Sequence, residues 1–343
     1  MVSHRRSTQP GLSRSVRATV LSAAAATAAA TLGAATASAE PQDSPQTAGA
    51  RVDRLFTEAE RATEQYNKAG ENVGRLRGEV SRAQDRAARG QERINRMRTE
   101  LGSVARAEYR SGGIDPSLAL LLSSDPDNYL DRAAALGRAD ESRAAALAEL
   151  RKAQRVLAQT RAEAARSLAG LKRNREAVSR HKRTVERKLT QARRLLRSLP
   201  GGERAAFERA SRDGRDFGAG PRAGLPAGSA RAAAAVMAVR RALGRPYVWG
   251  ASGPSGFDCS GLMQWAYAQA GVSLPRTSQA QRYAGRMVPL SEARPGDLVT
   301  YRADASHVGM YVGNGQVIHA PYPGAAVRYD PVGMMPIASV TRV

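Results

Sequence analysis

Cysteine occurs once in the 343 residues, at Cys259, which excludes a disulfide framework and a thiolate-only zinc site. Aromatic residues make up 5% of the chain. That is too few for one large core, so much of the chain is expected as extended helix or linker. Lysine is also scarce: five of the 53 basic residues are Lys and the rest are Arg. Acidic residues lag behind, leaving a formal net charge of +22. Such a balance suits nucleic acid, an anionic membrane or an acidic polymer, and alone does not choose among them. At roughly 150 residues per domain, the length suggests two domains.

The N-terminus narrows the choice. Arg5, Arg6, Arg14 and Arg17 precede an uncharged run from Ala18 to Ala39, which ends in Ala37-Ser38-Ala39 before Glu40. This is the small-x-small pattern of a signal peptidase site. The run is mostly Ala and Thr, with only Val20, Leu21 and Leu32 as larger apolar residues, too weakly hydrophobic for a stable membrane span. Residues 1–39 are expected as a signal peptide and 40–50 as a disordered N-terminus. The mature protein is expected to be secreted, extracellular or in the cell wall. Export argues against nucleic acid and makes anionic cell-wall polymers the better partner for the charge.

From Val52 a stripe continues through Leu55, Ala59, Ala62, Tyr66, Ala69, Val73, Leu76, Val80, Ala83, Ala87, Gly90, Ile94, Met97, Leu101 and Val104. Its alternating spacing of three and four is a 3.5-residue repeat. A second stripe runs from Ala133 to Leu199, with Leu150, Leu157, Leu171, Val178, Val185 and Ala192 on one seam. Gly112-Gly113, Pro116 and Pro126 interrupt the two. Residues 51–212 are therefore expected to fold as a coiled-coil hairpin broken at 111–126, the alternative being a parallel dimer of extended coils. At the tip, Leu118, Leu120, Leu121, Leu122, Tyr129 and Leu130 either cap the hairpin's own core or form a partner-docking knob.

Residues 213–229, DGRDFGAGPRAGLPAGS, have no period and are expected to be a flexible linker. Residues 230–343 hold both Trp, seven of the ten Tyr and the cysteine, enough for an independent core. Within them, FDCSGLMQWAYAQAG puts Cys259 at a helix N-terminus, where free amides and the helix dipole favour a thiolate. Its polar flanks, Asp258 and Ser260, argue against burial. The base must come from His307 or His319 in SHVGMYVGNGQVIHAP, a strand-turn-strand segment. A three-residue loop over Gly313-Asn314-Gly315 pairs Gly309 with His319 and puts both histidines on one face, whereas a two-residue loop separates them. The first register makes Cys259 the nucleophile, His307 the base and His319 its orienting group. This needs no cofactor and no metal. A Cys-His-His zinc site is the alternative, although its separations of 48 and 12 residues fit no common ligand pattern.

These segments, with GRPYVWGASGPSGFDCSGL, SLPRTSQAQ and PGDLVTY, resemble the NlpC-type family of secreted bacterial cell-wall cysteine peptidases across essentially all of 230–343. The resemblance implies a papain-like α/β domain with an antiparallel sheet, and thus an α+β protein overall. It also implies hydrolysis of peptidoglycan stem peptides, in many members between D-isoglutamate and the diamino acid, with Cys259, His307 and His319 at the catalytic positions. Tyr247 matches a cleft tyrosine that assists the oxyanion, and Asp258 and Ser260 match substrate-side neighbours of the nucleophile. Ala251 departs from the family's pair of glycines. The helical arms are similar to those of division-associated Rip-type wall hydrolases, which implies a membrane ABC-type division complex as a partner of the hairpin tip.

Two other functions stay open: a coiled-coil adaptor that activates other wall hydrolases, and an amidase or acyltransferase on the same fold. For the hairpin itself, two roles are weighed. It either occludes Cys259, most simply through Arg204 to Phe217 beside the linker, or it is a passive spacer.

Overall fold

The computed structural model describes residues 45–110, 112, 115–122, 127–210 and 227–343. The expected signal peptide and residues 213–226 of the linker lie outside the described residues. Helix α1 (Pro45–Arg110) opens with proline at its first position, where the missing N–H costs nothing. It therefore starts inside the 40–50 segment expected to be disordered. Helix α2 (Pro116–Leu121) is capped by Asp115, which accepts from the Ser117 N–H at 2.8 Å. Helix α3 (Tyr129–Ser198) returns along α1. Arg93–Glu149 at 2.7 Å and Lys188–Glu58 at 2.5 Å fix the arms as antiparallel within one chain. At 66 and 70 residues, each arm is about 100 Å long.

The heptad positions are buried chiefly near the base: Val52, Ala59, Ala62, Ala69, Val73, Leu76, Leu171, Val185 and Ala192. Farther out the seam thins, and Val104, Leu147 and Leu168 are exposed. Gly70 and Gly74 stand in open space on α1, and each helix-interior glycine weakens it by about 0.5–1 kcal/mol relative to alanine. At the tip Leu118, Leu121, Leu122 and Leu130 are 50% to 80% exposed, so they do not cap the hairpin's core. Among the described residues no helix is long and apolar enough to cross a membrane.

After α4 (Gly201–Ala210) the chain enters the C-terminal domain: α5 (Ala230–Arg241), α6 (Cys259–Gln269), α7 (Ser278–Gln281), then β1 (Arg286–Val288), β2 (Leu298–Tyr301), β3 (His307–Gly313), β4 (Gln316–His319), β5 (Arg328–Pro331) and β6 (Ile337–Arg342). All pairs in the sheet are antiparallel, in the order β1-β6-β2-β3-β4-β5. Val239, Leu262, Met263, Ala266, Leu298, Val308, Met310 and Ile318 form the core between α5, α6 and the sheet.

The β3–β4 turn differs in detail from the expected one. Gly313 pairs with Gln316 across a two-residue Asn314-Gly315 turn, and both turn residues have positive φ, 55° and 67°. A bulge between Tyr311 and Gly313 then supplies the one-residue shift expected of a longer loop. Met310 faces Ile318, so Gly309 comes opposite His319; a Cβ on Gly309 would lie 3.2 Å from the His319 Cβ. Both histidines reach the same face.

The base of the hairpin packs on this domain. Phe56 stacks on Tyr322 at 4.8 Å between ring centroids, and Tyr66 meets the edge of Trp249 at 5.2 Å.

Candidate active site

Cys259 is the first residue of α6, behind the N-cap Asp258, whose Oδ1 accepts from the Gly261 N–H at 2.7 Å. The following turn demands glycine, because a Cβ on Gly261 would sit 2.2 Å from the Ala251 carbonyl oxygen. Ala251 occupies that close approach without a positive φ, so alanine fits where the resemblance leads one to expect glycine. Asp258 is fully engaged: it also accepts from the Gly250 N–H at 2.9 Å, from Arg276 at 2.5 and 3.0 Å and from Asn67 at 3.1 Å. The polar flanks do not signal exposure. Asp258, Cys259 and Ser260 are all buried.

The two histidines form a line of hydrogen bonds leading away from the thiol. His307 Nε2 and His319 Nδ1 are 2.7 Å apart, and His319 Nε2 lies 2.7 Å from Asp330 Oδ2. Asp330, on β5, also accepts from Arg328 Nε at 2.8 Å. Burial would raise the Asp330 carboxyl, but His319 and Arg328 hold it below its ordinary range. An ionised carboxylate can only accept, so His319 carries its proton on Nε2. Burial and the neighbouring His307 push the His319 pKa down to about 4 despite the Asp330 hydrogen bond. Its Nδ1 is then a lone-pair acceptor for His307 Nε2–H, and His307 Nδ1 becomes the basic nitrogen. One carboxylate thus sets the tautomers of two imidazoles.

A third element closes the site. Glu60, Thr63, Glu64 and Asn67 on α1 are buried although polar, and with Phe56 they form a second face beside the heptad stripe. Glu60 Oε1 hydrogen-bonds His307 Nδ1 while Oε2 pairs with Arg302 Nη1 at 2.7 Å. Glu64 Oε1 accepts from Ser260 Oγ at 2.7 Å and lies 3.9 Å from Cys259 Sγ. Its Oε2 accepts from the Ser278 N–H at 2.7 Å and the Ser278 hydroxyl at 2.9 Å.

The electrostatic result reverses the expectation of an armed thiolate. Burial, then the negative charges of Glu60, Glu64 and Asp258, raise the Cys259 thiol well above its ordinary value. Burial and Asp258 raise Glu64 to about 7. Burial would raise Glu60 too, but His307 and Arg302 hold it below its ordinary value. With α1 seated, the thiol stays protonated, and His307 Nδ1 donates its N–H to the Glu60 carboxylate instead of accepting the Cys259 proton.

Of the remaining expected residues, Tyr247 is buried and its hydroxyl has no hydrogen-bond partner among the described residues. Burial and the nearby Cys259 raise its pKa well above the ordinary value, so it remains a donor. Ser260 faces the thiol side, held by Arg276 at 2.9 Å and by Glu64. The zinc alternative does not fit the arrangement, because His319 turns its Nδ1 to His307. The metal-ligand atoms that do lie within 4.8 Å of one another belong to Glu60, Cys259 and His307, and Glu60 and His307 are directly hydrogen-bonded. Arg204 is exposed on α4 and residues 211–217 lie outside the described residues; the segment in the cleft belongs to the first arm.

A thiol helix packed on an antiparallel sheet that carries a histidine pair defines the papain-like α+β class. Residues 244–340 match the NlpC/P60 family, and the C-terminal domain of this chain belongs to it. A probable endopeptidase of Mycobacterium tuberculosis is 48% identical over 99 residues, covering 29% of this chain and 26% of the relative. A probable endopeptidase of Corynebacterium glutamicum is 46% identical over 124 residues, covering 34% and 59%. The chain thus spans less than two thirds of these relatives. Among solved structures, the NlpC/p60 domain of the peptidoglycan hydrolase SagA is 36% identical, with 33% of this chain and 98% of that one covered and a TM-score of 0.31.

Proposed function

We propose that this protein is a secreted peptidoglycan endopeptidase that its own helical hairpin holds inactive. The observation that carries the reading is the hydrogen-bonded line His307–His319–Asp330 with the Cys259 sulfur within 4.8 Å of a His307 ring nitrogen, and α1 seated on that reactive end through Glu60 and Glu64. With α1 withdrawn, His307 Nδ1 takes the Cys259 proton and the thiolate attacks a stem-peptide carbonyl. The Cys259 backbone N–H and the Tyr247 hydroxyl stabilise the oxyanion. His307 returns its proton to the leaving amine, and water activated by His307 then hydrolyses the thioester. The favoured bond joins D-isoglutamate to the diamino acid. Cys259→Ser and His307→Ala abolish cleavage of defined muropeptides, followed by product mass; full cleavage by either would overturn the assignment, and different product masses would identify an amidase or acyltransferase.

The sealed cleft also suits an adaptor whose catalytic domain is silent; lysis of walls by purified Cys259→Ala would favour that reading. Export through residues 1–39, binding of the cationic arms to anionic wall polymers and docking of the apolar tip to a membrane ABC-type division complex complete the proposal. The exposed Leu118, Leu121, Leu122 and Leu130 support the last of these.

A further inference from the structure

In the closed protein the guanidinium of Arg302 is 18% exposed and its ion pair with Glu60, itself 3% exposed, runs from Nη1 to Oε2 at 2.7 Å. Arg302 Nη1 also donates to Ser306 Oγ at 3.1 Å. The backbone that holds this side chain is unusual: Arg302 follows β2 with a φ of 63°, a conformation uncommon outside glycine. It is fixed by an N–H bond to the Pro336 carbonyl at 2.7 Å and by the Ala305 N–H on its own carbonyl at 2.9 Å. The position of the cation therefore belongs to the domain, whereas its carboxylate partner belongs to a helix that must leave for the site to work. With α1 withdrawn, the guanidinium keeps its fixed backbone position and its Ser306 contact but faces the cleft without its anion.

We propose that Arg302, with Ser306, receives a carboxylate of the substrate, and that Glu60 fills this receptor in the closed protein as a stand-in. The inference rests on the endopeptidase reading above. It fits the substrate's chemistry, because a γ-linked D-isoglutamyl residue keeps a free α-carboxylate and a diamino dicarboxylic acid keeps one outside its peptide linkage. Either group can also occur as the carboxamide, which Arg302 would reject.

The seat occupied by Glu64 differs in kind. Its donors are the Ser260 and Ser278 hydroxyls and one backbone N–H, with Asp258 opposing. The carboxyl there is raised to about 7, while Glu60, held by His307 and by Arg302, is lowered. A neutral group suits the serine seat; only the arginine seat selects an anion.

The test uses the full chain with α1 displaced by Glu60→Arg and Glu64→Arg, with and without Arg302→Ala. Glu60→Ala and Glu64→Ala replace the arginines if those unfold the protein. Stem peptides carry acid or carboxamide on each of the two residues flanking the scissile bond, and kcat/KM is compared within each variant, so any residual closure cancels. With Arg302 present, amidation at one of the two residues lowers kcat/KM about tenfold or more, the effect of one charge-assisted hydrogen bond. With Arg302→Ala that penalty disappears, and Arg302→Lys restores part of it. The same penalty with and without Arg302, or no penalty at either residue, overturns the receptor while leaving the endopeptidase standing. Failure of every peptide to be cut overturns both.

Discussion

Cys259 and Glu64 are 195 positions apart in the chain, and 3.9 Å separates thiol from carboxylate. A carboxyl group so close to a nucleophilic sulfur blocks it and, once ionised, has the wrong sign for activity. The start of α6 supplies a favourable dipole, yet burial and three carboxylates override it and keep the thiol protonated. The hairpin therefore acts on the site in two ways, by covering it and by setting its charge.

Releasing the two glutamates should activate the enzyme. Removing one partner of a buried, hydrogen-bonded ion pair costs about 3–5 kcal/mol, which falls here on the closed state alone. Glu60→Ala with Glu64→Ala is expected to raise initial rates on a soluble muropeptide by about 100-fold if closure limits turnover. Rates equal to those of the unaltered protein would eliminate self-inhibition and leave the hairpin as a spacer.

Closure should weaken as pH rises toward neutrality. In the closed protein the Glu64 carboxyl, facing Asp258, Cys259 and Arg276, keeps its proton up to about pH 7, against an ordinary value of 4.5 once free. The closed state binds more protons between those limits, so its stability is full below 4.5, falls through the interval and is flat above it. Glu60 has the opposite sign, losing its contribution only as pH drops below 4.5 through its lowered folded value. Fluorescence of Trp249, packed against Tyr66, follows the opening. Glu64→Gln should remove the slope between pH 4.5 and 7; a slope that persists would assign it to another group.

Asp330 should matter to catalysis although it is remote from the thiol. The carboxamide introduced by Asp330→Asn could donate to His319 Nε2, freeing the ring to take the other tautomer and depriving His307 of its acceptor. Asp330→Asn is expected to lower kcat about 10–100-fold, with KM little changed and the pH profile displaced. A loss of Tm alone, with kcat and its profile intact, would make Asp330 merely structural.

Polar substitutions at the tip separate docking from chemistry. Leu121 and Leu130 are 70% and 80% exposed, so Leu121→Ser with Leu130→Ser should leave Tm and soluble turnover unchanged, each change staying within about 0.5 kcal/mol. Stimulation of wall hydrolysis by membrane fractions should be lost. Stimulation that survives removes the tip from the activation route.

The heptad seam and the thiol helix were legible because each follows a period or a local cap rule, whereas the histidine register came out as read only because a bulge at Tyr311–Gly313 offsets a two-residue turn. The base of the seam emerged as read, from Val52 to Leu76. The plug did not, because Glu60, Glu64 and Asn67 look like any solvated helix face, and nothing local marks a carboxylate destined for a buried partner some 200 residues away. Asp330 and Arg302 were missed for a related reason. Each acts through a sheet neighbour or a turn, and neither carries a signal beyond its charge. Burial of Cys259 also ran against its polar flanks, since Asp258 and Ser260 find their partners in Arg276 and α1.

Gly70 and Gly74 lie just beyond Asn67, where the plug ends and the long shaft of α1 begins. A uniform rod would transmit a twist applied at the tip directly to the glutamates. Two glycines soften α1 at this point, so a pull at the tip is expected to bend it where it meets the lock and to tilt off the domain a short end that stays packed on α3 through Val52, Ala59 and Ala62. Both positions have room for a methyl group, so Gly70→Ala with Gly74→Ala would stiffen the joint without a clash. The stiffened protein should need a stronger pull to open, read as a higher unfolding force for the plug when tip and domain are tethered; an unchanged force would mean the lock turns rather than tilts.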